Sequence, residues 1–270
     1  MSRSIILSLA LLSLTVAIPA SSQILEPTYE KVLVPIRTGV TPGAFGSQWT
    51  AAIAISNISD TPVDVQGHGA CRIAIPCRPL PIPPRTTIYV NLIPLSDVPA
   101  AFLFVEPGRV NDLSITMRAF DESRQHLTWG ASLPVVTRRD LFAGRFGIGD
   151  IPGDTSYRST LRIFDFDATT PAAVRVLVFS VAPGASDEMR PGAADRLLVT
   201  FTPQFIIPTT GGGTIGHPAF ASVALWLMPE LAGAERVRVV IEPLDTTGDY
   251  WAMVSSTHND TQHVTVITPR

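Results

Sequence analysis

The sequence predicts an all-β fold made of two tandem antiparallel β-sandwich domains of the immunoglobulin-like kind, behind a signal peptide. Composition is the first observation: the chain has 24 prolines and 19 glycines, and only 16% of its residues are charged. That balance disfavours long amphipathic helices and favours short strands joined by turns. The other two observations are apolar residues that alternate with period two in many short segments and a strand signature that occurs twice.

Residues 1–22 have the features of a secretory signal peptide. Arg3 supplies a positive charge, Ile5–Ile18 are mostly apolar, and Pro19–Ser22 offer small residues for cleavage. The apolar run is shorter than the roughly 20 residues that a bilayer span requires. A retained membrane anchor is the alternative interpretation. We therefore expect a secreted protein, extracellular or periplasmic, with no membrane span after signal cleavage.

The repeated strand signature divides the mature chain into two similar parts. Its first copy is Trp49–Asn57 and its second is Tyr157–Asp165. In both, an aromatic residue opens a run whose alternate positions are apolar, and a carboxamide or carboxylate closes it. The repeat predicts domain 1 over residues 23–138 and domain 2 over residues 139–270, with almost no flexible linker between them.

Alternation of apolar and polar residues marks the individual strands. Leu113 and Met117 share an apolar face, whereas Ser114 and Thr116 lie on the other, which is typical of an antiparallel sheet with one solvated side. In the first half we predict strands at Lys31–Pro35, Trp49–Ser56, Pro62–Gln66, Thr86–Leu92, Ala101–Val105, Asp112–Phe120 and His126–Val136. In the second half we predict strands at Leu141–Arg145, Tyr157–Phe166, Ala173–Val181, Arg196–Thr202, Ala219–Leu227, Arg236–Ile241, Tyr250–Ser256 and His263–Thr268.

Three local features allow more specific predictions. The strand Ala219–Leu227 is apolar on both faces, so it is either a central strand or one whose outer face packs against the other domain or a partner. Tyr250 and Trp251 are adjacent in a strand and point to opposite faces, which predicts that one of them lies outward. Pro229 is suited to the first position of a helical turn.

Cys71 and Cys77 are the two cysteines of the chain. In an exported protein they meet an oxidising compartment, so we predict a disulfide between them. Closing so short a loop would contribute about 2 kcal/mol through loop entropy. A redox pair or a zinc site is the alternative, although a redox pair normally has a two-residue spacing and zinc requires further ligands nearby.

Motifs that carry chemistry are few in this sequence. It has no Gly-x-Ser-x-Gly, no His-Glu-x-x-His and no glycine-rich phosphate loop, and its five histidines are scattered. The formal net charge of −3 supplies no electrostatic argument for nucleic acid as a partner. We therefore expect a non-enzymatic protein without a cofactor; a hydrolase with a dispersed site is the alternative.

Loop aspartates offer one candidate metal site. Asp165 and Asp167 follow the second copy of the repeated strand, and Asp150 and Asp154 precede it. Calcium takes six to eight oxygen ligands, so a usable site would gather several carboxylates. Asp165 and Asp167 are the first candidates for calcium, although aspartate is also a preferred turn former.

Arginines on two strands of the second half offer a candidate ligand surface. Arg158, Arg162 and Phe164 lie on one side of their strand, and Arg236 and Arg238 share a side of theirs. If the two strands were neighbours, these residues would form an arginine-rich, partly aromatic sheet face. The planar guanidinium recognises carboxylate and sulfate well. An ordinary solvated surface is the alternative.

Two segments of the sequence resemble a known family. Phe45-Gly-Ser-Gln-Trp49-Thr with the following Ile-x-Ile-x-Asn strand is similar to a pattern in exported tandem β-sandwich proteins of environmental bacteria, as is Tyr250–Gln262 with Val264–Pro269. The resemblance implies an exported β-sandwich protein. It supplies no activity and no functional residues to carry over.

The expected function is therefore a secreted, non-enzymatic binding or structural module at the bacterial envelope or outside the cell. Its partner, a protein or a glycan, is not identified by the sequence. The alternative is a carbohydrate-binding or adhesive protein that uses the arginine and aromatic residues of domain 2.

Overall fold

The computed structural model describes residues 29–35, 40–43, 46–67, 80–90, 100–123, 130–166, 173–181, 195–207, 218–244 and 248–269. These residues form β-strands and short 3₁₀ turns, and no α-helix occurs among them. The strands of the first half are β1 Glu30–Val34, β2 Thr41–Pro42, β3 Gln48–Asn57, β4 Val63–Gly67, β5 Leu80–Ile82, β6 Thr87–Val90, β7 Ala101–Val105, β8 Leu113–Asp121, β9 Ala131–Leu133 and β10 Val136–Thr137. The strands of the second half are β11 Phe146–Pro152, β12 Tyr157–Asp165, β13 Val174–Ser180, β14 Arg196–Phe201, β15 Ala219–Ala224, β16 Arg236–Pro243, β17 Tyr250–His258 and β18 Val264–Ile267.

The described strands form four antiparallel sheets. In the first half, sheet I has the order β10-β1-β7-β4-β5, and sheet II has the order β2-β3-β8-β9, with β6 also paired to β3. In the second half, sheet III has the order β15-β12-β17-β18, and sheet IV has the order β11-β16-β13-β14. The described part of the chain has no sheet that mixes strands from the two halves.

Strand order is the same in the two halves. To compare the halves, we number eight strands in each: β1 and β3–β9 in the first half, and β11–β18 in the second. With this numbering, each half has one sheet of order 1-6-3-4 and one sheet of order 5-2-7-8. The repeated signature of the sequence is the second strand in each case. In an immunoglobulin constant domain the first strand pairs with the second, whereas here it pairs with the sixth. The order of the described strands therefore differs from that of an immunoglobulin constant domain.

Sheets III and IV enclose a hydrophobic core. Leu161 and Ile163 of β12 and Val254 of β17 face Val176 of β13 and Val239 of β16, and all five are fully buried. The alternating apolar residues of each strand supply this core, as expected for a sandwich whose inner faces interdigitate.

Part of the other face of sheet III is also buried. Phe164, Trp251 and Met253 belong to a second core together with residues of sheets I and II. Phe102 of β7 meets Phe166 there, with ring centroids 5.0 Å apart. Sheet III therefore has an apolar core on each side, and one of these cores contains residues of both halves.

Burial on both faces corrects two predictions. Tyr250 and Trp251 do point to opposite faces, but both are buried, with 0% and 4% of their surface exposed. The strand that begins at Ala219 is an edge strand of sheet III rather than a central one. Its outer-face Phe220 packs in the core that contains residues of both halves, as the second alternative predicts.

Most predicted strands are present within a few residues of their expected bounds. The predicted strand Leu141–Arg145 is wrong, because the first strand of the second half is Phe146–Pro152 instead. The short strands Thr41–Pro42 and Leu80–Ile82 were not predicted. The predicted turn at Pro229 is confirmed as a 3₁₀ turn with proline at its start.

Candidate functional site

A groove opens at one end of the second half, between sheets III and IV. It encloses about 690 Å³ and lies where β12 begins and β15 ends. Leu225, Leu231 and Val237 are buried residues that line it. Ligand sites in proteins are concave and mostly apolar with a few placed polar groups, so this groove is the candidate site.

The apolar wall exists because strand β15 stops early. A 3₁₀ turn over Leu225–Leu227 follows Ala224, and a second one runs over Pro229–Leu231. The change from strand to 3₁₀ turn ends the alternation, so that Leu225 lies inside whereas Trp226 and Leu227 lie outside. Their side chains are 49% and 63% exposed. Two large apolar side chains therefore stand at the groove in contact with solvent.

The polar wall is held by hydrogen bonds between side chains far apart in the sequence. The Arg158 guanidinium donates to Asn259 Oδ1 and to Gln262 Oε1, both at 2.9 Å. Asn259 Nδ2 donates to the Thr155 carbonyl at 2.8 Å. Tyr157 packs edge-on against the neighbouring His258 ring, with centroids 5.0 Å apart. These contacts fix the polar groups before any ligand arrives.

Two carboxylates, Asp154 and Glu235, complete the charged lining of the groove. Asp154 Oδ1 already accepts the Ser156 N–H at 2.8 Å, as in many turns. The described lining contains neither histidine nor cysteine. A nucleophile–base pair of the serine or cysteine type is therefore not formed by these residues, and the lining is chemically suited to hydrogen bonding and apolar contact.

The structure separates the five predicted ligand residues. Arg158, Arg162 and Phe164 lie on β12 of sheet III, whereas Arg236 and Arg238 lie on β16 of sheet IV. Strand β12 pairs with β15 and β17, and β16 pairs with β11 and β13, so the two strands are not neighbours. The residues therefore do not form the single sheet face that the sequence analysis predicts.

Phe164, Arg236 and Arg238 are each buried or ion-paired away from the groove. Phe164 is fully buried. The side chain of Arg238 is 3% exposed and donates to the buried Asp195 carboxylate at 2.8 Å. Arg236 forms an ion pair with Asp150 at the surface. Arg158 is the one predicted residue that lines the groove.

Of the candidate calcium and disulfide residues, Asp165 is the one that lies within the described part of the chain. Asp165 is 2% exposed at the end of β12. Its predicted companion Asp167 lies outside the described residues, as do residues 1–22, Cys71, Cys77 and Trp129. Within the described ranges, no group of three or more His, Cys, Asp or Glu side chains is placed to hold a metal ion.

Sequence reasoning did not identify Trp226, Leu227 or Asn259 as site residues. Trp226 and Leu227 were assigned to a strand whose apolar pattern continues through them. The one available signal was Pro229, because a proline at the first position of a turn marks the end of the preceding element. Asn259 carries no local signal, since its bonded partners are Thr155 and Arg158 in a distant part of the chain.

Comparison with known proteins identifies no family. No protein-family model matches the sequence, and none of the curated proteins matches it. Among solved structures, the chain is similar to "Crystal structure of infectious bursal disease virus VP2 subviral particle", at 9% identity over 90% of this chain and 71% of that chain, with a TM-score of 0.20. Because the TM-score is this low, we infer nothing about this chain from that structure. In the part of the chain that the structure describes, no helix is long and apolar enough to cross a membrane.

Proposed function

We propose that the protein is an exported, non-enzymatic binding module built from two tandem β-sandwich domains, and that the groove of the second half is its binding site. The observation that carries this proposal is the Trp226 side chain, half exposed in a concave site. Large aromatic side chains supply much of the binding energy at recognition sites. The signal-like residues 1–22 support export, and the common strand order of the halves supports duplication.

The prearranged polar wall supports binding as the role of the groove. Arg158, Asn259 and Thr155 are already joined by hydrogen bonds, so a ligand would not have to order them. Groups fixed before binding reduce the entropy lost when the complex forms. The wall thus combines with the apolar Trp226 side to form a site that needs little rearrangement.

A glycan is the ligand that the lining favours. The apolar C–H face of a sugar ring can pack on the Trp226 indole, while its hydroxyls bond to amide and carboxylate groups such as Asn259 and Asp154. The carbohydrate-binding alternative therefore moves from the predicted arginine face to the groove, because Phe164 is buried and the arginines lie on two sheets.

A Trp226→Ala variant tests the groove. Wild-type protein and variant would be measured on an array of neutral and acidic glycans and on a library of immobilised peptides. We expect at least one ligand, and a loss of affinity of about 30-fold in Trp226→Ala, equivalent to a truncation cost of about 2 kcal/mol.

Tyr89→Ala is the matched control. Tyr89 is an aromatic side chain that is 83% exposed on β6, outside the groove, so its removal should leave binding unchanged. Binding that decreases equally in both variants, or wild-type protein that binds neither glycans nor peptides, would contradict the proposal. If the protein binds peptides but no glycans, the proposal of a binding module stands and the proposal of a glycan ligand is wrong.

A further inference from the structure

Arg162 occupies an unusual position in the middle of sheet III. Its strand neighbours by register are Ser222 of β15 and Met253 of β17. Phe164, two residues along on the same face, is fully buried in the core that contains residues of both halves, whereas Ser222 is exposed. Arg162 itself is partly buried, so its guanidinium lies where the buried part of this face meets solvent.

Few contacts within the described part of the protein offset the positive charge of the Arg162 guanidinium. Its one described hydrogen bond is from Nη1 to Ser255 Oγ at 3.4 Å, and no described carboxylate forms an ion pair with it. Burial lowers the pKa of the Arg162 guanidinium below its ordinary value, because desolvation disfavours the charged form. By contrast, the buried Arg238 has the Asp195 carboxylate beside it. A desolvated cation without a counter-ion is costly to a folded protein.

Hydroxyl groups surround this cation on the same face of the sheet. The register places Thr160 beside Arg162 along β12, with Ser222 and Ser255 on the two flanking strands. We call the residues Arg158, Thr160, Arg162, Ser222 and Ser255 the Arg162 face. Strands β12, β15, β17 and β18 place no acidic residue on this face over their described lengths.

Arg158 is a second guanidinium on the Arg162 face, four residues before Arg162 on β12. It donates hydrogen bonds to the amide oxygens of Asn259 and Gln262. Two guanidinium groups and three hydroxyls are all able to donate hydrogen bonds to an oxyanion.

We propose that the Arg162 face is an oxyanion-binding site, in which the Arg162 guanidinium and the hydroxyls of Ser222 and Ser255 bind a carboxylate or a sulfate group of a ligand. The ligand supplies the counter-ion that the described residues do not place beside Arg162. The inference does not depend on the groove, because the groove lining includes neither Arg162 nor Ser222 nor Ser255.

An Arg162→Met variant of the full chain tests the site. Binding would be measured by calorimetry at fixed ionic strength with galacturonic acid oligomers as the carboxylate probe, sulfated dextran oligomers as the sulfate probe, and neutral dextran oligomers as the control. We expect the wild-type protein to bind at least one anionic probe and not the neutral one. Arg162→Met should lose at least about tenfold in affinity, as expected for hydrogen bonds to a charged group.

Further variants keep the test decisive. Arg162→Lys retains the charge without the planar fork and should bind with intermediate affinity. Arg175→Gln is the matched control, because Arg175 is a surface arginine of sheet IV bonded to Glu242; it should bind the anionic probes like the wild type. If these probes bind no more tightly than neutral dextran, or if Arg162→Met binds them as well as the wild type, the proposal is wrong.

Thermal unfolding separates a binding role from a structural one. Removing a partly buried charge that has no described counter-ion should leave the Tm of Arg162→Met equal to or above that of the wild type in buffer without the probes. A Tm lower by about 5 °C or more would assign Arg162 a structural role and overturn the proposal, since a change of about 1 kcal/mol shifts the Tm of a protein of this size by a few degrees.

Discussion

Asn57 shows how a single polar side chain is accommodated at the end of the first repeated strand. It is 1% exposed, and its side-chain amide both donates and accepts hydrogen bonds. Nδ2 donates to the carbonyls of Thr61 and Ile82 at 2.8 and 2.9 Å. Oδ1 accepts the backbone N–H and the hydroxyl of Ser59 at 2.9 and 2.8 Å. The side chain thereby joins the end of β3 to the following turn and to β5.

Asn57→Ala should destabilise the protein by about 1–3 kcal/mol, because it leaves the buried Ile82 carbonyl without its partner and removes the part-buried bonds to the Thr61 carbonyl and the Ser59 N–H. Urea unfolding at neutral pH measures the change. Ser114→Ala is the control, since Ser114 is an exposed residue of the neighbouring strand β8 and its loss should change stability by less than about 0.5 kcal/mol. Equal stability of the two variants would show that the Asn57 bonds contribute little.

Gly153 is the point where two connecting segments of the second half meet. It follows β11, and its N–H donates to the Glu235 carbonyl at 2.9 Å in the segment before β16. A Cβ atom at this position would lie 2.5 Å from the Ala234 carbonyl oxygen and 3.2 Å from Val237 Cγ1. The backbone oxygen cannot rotate away as a side chain can. Close approach of the two segments, which also line the groove, therefore requires glycine.

Gly153→Ala should cost about 1–3 kcal/mol, the usual penalty for forcing an added methyl group into a packed site. It should also weaken ligand binding in the groove, because Gly153, Ala234 and Glu235 all line it. Thermal unfolding and the array measurement check the two effects. Gly144→Ala provides the comparison, since a Cβ at Gly144 meets no atom within 4 Å. A Gly153→Ala protein with the stability of Gly144→Ala would mean that the segments separate at little cost.

Sheet III links the two halves of the molecule. Ile163 points into the core between sheets III and IV, and Phe164 points into the core that includes Phe102 of the first half. Sheet III thus has buried side chains on both faces at this end of β12. Because the second core draws on both halves, we expect their unfolding to be coupled.

Phe164→Ala should therefore lower stability by about 3–5 kcal/mol and weaken the coupling between the halves. We expect wild-type protein to unfold in one calorimetric transition and Phe164→Ala to unfold in two. Ile163→Ala removes a buried side chain from the opposite face of the same strand, so it should lower the Tm while keeping one transition. Two separate transitions in the wild-type protein would contradict coupling through this core.

The sequence predicted the elements of this fold better than the surfaces that they form. Strand β8 has the predicted alternation, with Leu113 and Met117 buried and Ser114 and Thr116 exposed. The same rule predicted that either Tyr250 or Trp251 lies outward, although both are buried, because alternation shows which residues share a face but not what covers that face. The alternation rule also extended strand β15 past its observed end to include Trp226, because a 3₁₀ turn made of apolar residues has the same composition as a strand.

The amino-acid sequence by itself determined the all-β class, most strand positions and the repeat, because period-two alternation and turn residues act over a few neighbouring positions. The tertiary structure alone decided that sheet III buries side chains on both of its faces, that Arg158 and Arg238 lie on different sheets, and that Trp226 stands beside a polar wall. Each of these depends on contacts between segments distant in the chain, and such contacts are set by how the sheets pack rather than by local residue preference.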